Sequence, residues 1–137
     1  MYRVASELLR RGHHVFFPAI DDGIDLFTAS GYRIQVKASS RGWHQFYSFF
    51  FRHWTQTDKR RVQKFVKFRP DLTHLILWGV TEDHFWIIPT VEFSEPVSCL
   101  RIPSPTKQSD RYKHRDTKYG RYLNAWNLIP ASDGDAT

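Results

Sequence analysis

Apolar and polar positions change period several times along the chain, and each change marks an element. Val4, Ala5, Leu8 and Leu9 recur at helical spacing, and Gly12 follows Arg10 and Arg11. Residues 2 to 11 are therefore expected to form an amphipathic helix that stops at the glycine with cations in its last turn. His14 to Pro18 is β-branched and aromatic and is broken by proline, which predicts a short strand. Past the acidic turn Asp21-Asp22-Gly23, the runs Ile24 to Thr28 and Tyr32 to Ser39 both alternate apolar with polar residues. They read as two strands of a hairpin closed by Ala29-Ser30-Gly31, a three-residue loop that suits a type I turn with the glycine left-handed.

Residues 43 to 54, WHQFYSFFFRHW, are aromatic-rich and fit either a strand or a curled loop. Thr57 to Phe68 carries helical spacing in Val62, Phe65 and Val66. Thr73 to Val80 is a nearly continuous apolar run, as expected of a strand covered on both faces. His84 to Ile88 follows the turn at Glu82-Asp83 and completes a second hairpin. Pro103 and Pro105 mark a connector, and Lys118 to Leu128 reads as a closing helix with Tyr119, Tyr122, Leu123 and Trp126 inward. The sum is one α/β domain over residues 1–130, of order α-β-β-β-α-β-β-α around a mixed sheet, with residues 131–137 as a frayed tail.

Composition changes this picture little, and charge changes it more. The length suits a single core. Aromatic residues make up 16% of the chain, too many to be left open on a monomer, so Trp43, Phe46, Tyr47, Phe49, Phe50, Phe51 and Trp54 are expected mostly in the core or at a subunit interface. A single cysteine, Cys99, excludes an internal disulfide and a clustered Cys/His zinc site. The first residues have no apolar signal core, and no apolar run is long enough to span a membrane, so a cytoplasmic, nucleoid-associated protein is expected. The net charge of +6 sits in two blocks. Between Arg41 and Arg69 eight basic residues face one acid, Asp58; between Arg101 and Arg121 seven face Asp110 and Asp116. Such blocks are the footprint of a phosphate-backbone binder, and equally of ordinary solvated faces.

Candidate chemistry lies in the first hairpin. Period two puts Arg33, Gln35, Lys37 and Ser39 on one face of their strand, with Gln35 and Lys37 about 6 to 7 Å apart. If Thr28 faces Tyr32 across the loop, Asp25 lies opposite Gln35, with Cβ atoms about 5 Å apart. An Asp oxygen, an amide oxygen and the Val36 carbonyl are the hard donors that Mg²⁺ prefers. A lysine beside them can orient or help deprotonate a water and can stabilise charge on a phosphate. The same residues also fit the solvent face of an amphipathic hairpin whose core side is Ile24, Leu26, Ile34 and Val36.

The stretch ELLRRGHHVFFPAIDDGIDLFTASGYRIQVKAS resembles the PD-(D/E)XK nuclease superfamily, in which a helix and a strand precede a hairpin carrying Asp and (Glu/Gln)-x-Lys. It is most similar to the intron-associated homing endonucleases and to Holliday-junction-resolvase-like proteins, and HLILWGVTEDHFWIIP and KYGRYLNAWNLI look like that family's second hairpin and closing helix. The resemblance implies a restriction-endonuclease-like core and Mg²⁺-dependent hydrolysis of double-stranded DNA, with Mn²⁺ able to substitute. It makes Asp25 the metal-binding acid, puts Gln35 where many members have Glu, and makes Lys37 the catalytic lysine. It also implies a homodimer or higher homo-oligomer for double-strand cleavage. The family's helix Glu stands roughly 25 residues before the Asp, ahead of Met1, so the chain is expected to lack the first helical turns; Glu7 is the one acid in the predicted helix and a candidate metal ligand. The neutral Gln35 and this missing Glu leave a second possibility, a nuclease fold that binds DNA without cutting it.

The DNA-binding candidates are Arg41, which leaves the catalytic strand near the site, then Lys59, Arg60, Arg61 and Lys64 on the predicted middle helix, and Lys107, Arg111, Lys113 and Arg115 in a loop interleaved with Tyr112. Asp21 and Asp22 are read as turn residues, and His13 and His14 as helix-exit groups that cap the helix or lie at the surface.

Overall fold

The computed structural model describes residues 1–19, 23–42, 45–51, 53–57, 60–64, 68, 70–106 and 118–131. Among the described residues one α-helix, α1 (Tyr2–Arg10), is followed by nine strands: β1 (Val15–Phe16), β2 (Leu26–Thr28), β3 (Arg33–Ser39), β4 (Phe46–Phe50), β5 (His53–Thr57), β6 (Arg60–Lys64), β7 (His74–Gly79), β8 (His84–Pro89) and β9 (Cys99–Pro103). The central sheet has the order β1-β2-β3-β7-β8 and is antiparallel except where β3 runs parallel to β7. β4 pairs with β9, and β5 with β6, as separate two-stranded ribbons.

Each face of the central sheet is covered by a different layer. In β3 and β7, Ile34, Val36 and Ile76 join Leu26 and Ile87 against Val4, Ala5 and Leu8 of α1 and against Trp126 and Ile129 of the C-terminal segment. The alternate residues Leu75 and Leu77, with Trp86 and Ile88 of β8, meet Tyr47 and Phe49 of β4 and Leu100 and Ile102 of β9. β7 is thus buried on both sides, which is why it reads as an unbroken apolar run. His13 fastens the first layer by donating its Nε2–H to the Ile129 carbonyl at 2.8 Å. It is buried, neither exposed nor bonded by its side chain to the helix end, and it joins the helix exit to the C-terminal segment.

The predicted order needs three corrections. The described residues of Thr57 to Phe68 form no helix: Arg60–Lys64 pairs in register with His53–Thr57 as an antiparallel hairpin. Its β-branched and aromatic content outweighs three apolar positions at helical spacing. The closing helix is replaced by two 3-10 turns, Gly120–Tyr122 and Trp126–Leu128, separated by Asn124 at φ 51°. Tyr122 and Trp126 are buried all the same, so the inward positions hold without the helix. The segment Cys99–Pro103 is a strand, because β4 offers it a partner next to the core.

Candidate functional site

The first hairpin is built as its loop predicts. Gly31 takes φ 102°, and the Thr28 N–H bonds to the Tyr32 carbonyl at 3.0 Å. Leu26 then pairs with Ile34 and Phe27 with Arg33. Regular pairing stops there, so β2 is two residues shorter than the alternation suggests. The Asp25 N–H bonds to the Ile34 carbonyl at 2.8 Å, and the Asp25 carboxylate accepts the Val36 N–H at 2.7 Å. Asp25 therefore reaches across with its side chain where a strand would use its main chain, and one of its oxygens sits on the amide between Gln35 and Lys37.

Successive amides of a strand point to opposite edges. Thr73 and Val80 donate to the Arg33 and Ser39 carbonyls, so the odd-numbered residues of β3 face β7. Val36 faces the other way, as its bond to Asp25 shows, and its carbonyl lies on that same edge. Asp25 Oδ1, which takes no described hydrogen bond, the Val36 carbonyl and the partly buried Gln35 are thus gathered at one stretch of β3 beyond the end of β2.

Lys37 pairs in register with Leu77 and Gln35 with Leu75, which sets both on the face packed by β4 and β9. The Lys37 Nζ lies 5.5 Å from the centre of the Phe51 ring. Among the described residues no ion pair joins it to Asp25. In the sequence Phe51 is one aromatic of a dense run that fits the core or a subunit interface, and no spacing rule pairs it with Lys37. Two described clefts, one lined by Phe68, Pro70 and Thr90 and the other by residues 92–100 with Lys118 and Tyr119, contain none of the three candidate residues.

Glu7 is engaged elsewhere. Its carboxylate is buried and meets Arg3 at 2.8 Å, Arg10 at 3.4 Å and Arg11 at 3.5 Å. The hydrogen bond from Arg3 leads a set of cationic contacts that hold it below the ordinary Glu value, against the effect of burial. Arg3 also pairs with Asp83 in the turn before β8, so this network ties α1 to the far hairpin. No group of three or more His, Cys, Asp or Glu able to hold a metal occurs among the described residues.

Arg41 lies just past β3, where its N–H bonds to the Thr81 hydroxyl and its guanidinium reaches Glu82 at 3.2 Å. Glu82 is a hub. It accepts hydrogen bonds from Tyr47 at 2.8 Å, from Ser104 at 2.7 Å and from Thr106. Burial would raise its pKa, but the bonds from Ser104, Tyr47 and Arg41 hold it below the ordinary value. The Tyr47 phenol is pushed up to about 12 by burial and by the neighbouring Glu82. Arg60, Arg61 and Lys64 lie on β6 instead of on a helix face. Lys59, Lys107, Arg111, Lys113 and Arg115, with Asp21 and Asp22 and the tail 132–137, lie outside the described residues.

No family model matches the chain. No curated protein matches it either. Among solved structures, a bacterial homing endonuclease superposes with a TM-score of 0.74 over 93% of this chain and 86% of its own, at 21% identity. The fold of this protein, a mixed α/β arrangement with a mostly antiparallel sheet and few helices, is therefore a nuclease-like fold. No helix among the described residues is long and apolar enough to cross a membrane.

Proposed function

We propose that this protein is a metal-dependent DNA endonuclease of the PD-(D/E)XK type, with its centre at Asp25, Gln35, Val36 and Lys37. The observation that carries the reading is the Asp25 carboxylate seated on the Val36 N–H, which brings the acid to the amide between Gln35 and Lys37. The solved homing endonuclease with the same fold supports it. The donor set, one carboxylate oxygen, an amide oxygen and a main-chain carbonyl, consists of hard oxygens and suits Mg²⁺ or Mn²⁺. Bound there, the ion supplies Lewis-acid stabilisation of the phosphate and activation of water.

The remaining work falls to the chain. Asp25 is oriented by a main-chain hydrogen bond, so it can hold a cation without first ordering its own side chain. Gln35 adds an oxygen without charge. Lys37 presents an ammonium that can donate to a phosphate oxygen as negative charge builds there, and that can orient the attacking water. The two basic blocks of the sequence hold the DNA backbone. One such centre cuts one strand, so double-strand cleavage needs a homodimer or larger assembly.

Supercoiled plasmid incubated with Mg²⁺ is expected to be nicked or linearised, with loss of at least 100-fold in rate on Asp25→Asn or Lys37→Ala, on the order of the removal of one electrostatic catalytic group. Intact plasmid and intact four-way junctions with both Mg²⁺ and Mn²⁺ would refute the enzyme. The second reading, a nuclease fold that binds DNA without cutting, is favoured by one observation: Glu7 is surrounded by arginines, leaving Asp25 as the single carboxylate at the site among the described residues. DNA affinity that persists in Lys37→Ala, without metal-dependent cleavage by the parent protein, would establish it.

A further inference from the structure

A lysine side chain is long and flexible, and among the described residues nothing charged holds that of Lys37 in place. Among the described residues the Lys37 ammonium has no carboxylate partner; what it has is the face of Phe51, 5.5 Å away and within the roughly 6 Å over which a ring attracts a cation. Phe51 is itself fixed. It is 3% exposed, its N–H donates to the Ser98 carbonyl at 2.8 Å, and its ring meets Phe68 edge to face at 5.6 Å and 82°. Phe68 leans in turn on Phe93 at 5.3 Å, so the ring is held from behind by an aromatic stack.

We infer that Phe51 is a positioning residue for Lys37, its ring face holding the ammonium on the side of β3 that carries Gln35. The inference rests on the nuclease reading of Lys37. An aromatic ring suits this task where a carboxylate would not. It attracts the ammonium through its quadrupole without neutralising it, it offers no oxygen that would compete for a metal ion, and it excludes water from one side. The lysine is thereby oriented and keeps its hydrogen-bonding capacity for a phosphate or a water.

Fluorination removes electron density from the ring face while nearly preserving its shape. Phenylalanine at position 51 alone is replaced by its 4-fluoro, 3,5-difluoro and pentafluoro forms, and cleavage is followed at saturating DNA and Mg²⁺. Maximal rate is expected to fall stepwise with each degree of fluorination, by roughly fivefold to thirtyfold over the series, while KM stays within about twofold. A merely structural ring would leave the rate flat along the series, and that result overturns the proposal. A second reading needs no activity: the Lys37 ε-methylene protons, lying over the ring, should resonate upfield of those of other lysines and return to the common range in Phe51→Leu. Absence of that upfield shift in the parent protein also overturns the proposal. An upfield shift in a protein that cuts no DNA would sink the nuclease reading and leave the contact standing, whereas active enzyme with a flat fluorine series would sink only the role of Phe51.

Discussion

Replacing Gly79 by alanine sets two effects of known sign against each other. Gly79 lies at the end of β7, opposite Ser39 and His84. A methyl group there would stand 2.9 Å from Cε1 and Cζ of Tyr47 and 3.0 Å from Cζ3 of Trp86. Carbon atoms in contact prefer about 3.5 to 4.0 Å, so one of these rings must move by about half an ångström or more. Tyr47 has little room to do so. It is fully buried between Phe49 and Trp86, and its hydroxyl both donates to the Glu82 carboxylate at 2.8 Å and accepts the Glu82 N–H at 3.2 Å. Overpacking of this kind costs about 1 to 3 kcal/mol. Against it, alanine restricts the unfolded chain more than glycine does, a gain of about 0.4 to 1 kcal/mol in a strand. The clash should win, leaving Gly79→Ala less stable by roughly 0.5 to 2 kcal/mol. Urea titration followed by tryptophan fluorescence should show a lower midpoint at unchanged slope. Combination with Tyr47→Leu, which opens the space, should cost less than the sum of the two single changes. A Gly79→Ala protein as stable as the parent would show that Tyr47 does not sit against β7, and the packing of β4 on the central sheet would have to be redrawn.

Three further outcomes follow from the ion pairs and the phenol. The Tyr47 hydroxyl is neutral when folded and its pKa is raised from 10.0 to about 12, so its contribution to stability is complete below pH 10 and lost as pH rises through about 12; Tyr47→Phe should remove that part of the alkaline decline in urea midpoint. Glu82, Glu7 and Asp83 are all lowered in the folded state from 4.5, 4.5 and 3.8, so they stabilise fully above pH 5 and lose that contribution as pH falls below these values and through the lower folded ones. Glu82→Gln should therefore flatten the acid limb of the midpoint against pH, and an unchanged limb would count against the hub. Glu7→Gln should lower stability by about 1 kcal/mol while leaving Mg²⁺-dependent cleavage within about threefold; a rate loss above 100-fold that extra Mg²⁺ restores would instead make Glu7 a metal ligand.

The parts that could be read from the sequence are those whose interactions are local. The β2–β3 hairpin depends on a three-residue loop and its glycine, so the pairing of Thr28 with Tyr32, which brings Asp25 to the edge of β3, follows from a few adjacent residues. The β7–β8 hairpin was readable for the same reason. The β5–β6 ribbon was misread because Val62 and its neighbours fit two periods and the choice rests on pairing with His53–Thr57. The closing segment was misread because Tyr122 and Trp126 are drawn inward by the core, and 3-10 turns bury them as well as a helix would. The partners of Arg41 and Lys37, namely Glu82 and Phe51, lie on other segments, as does Asp83, which Arg3 joins to the local Glu7 cluster, and no pattern along one strand reports them.

The parallel joint between β3 and β7 has a kinetic meaning. Ile34 meets His74 across 40 positions, whereas β2 meets β3 and β7 meets β8 across loops of a few residues. Loop closure makes the first pairing slow and the other two fast. Folding of the central sheet is thus the docking of two hairpins that can form early, and Asp25, Gln35 and Lys37 all belong to the first of them. Lengthening or stiffening the segment between Ser39 and His74 would change how fast the sheet closes and leave the hairpin that carries these residues as it is.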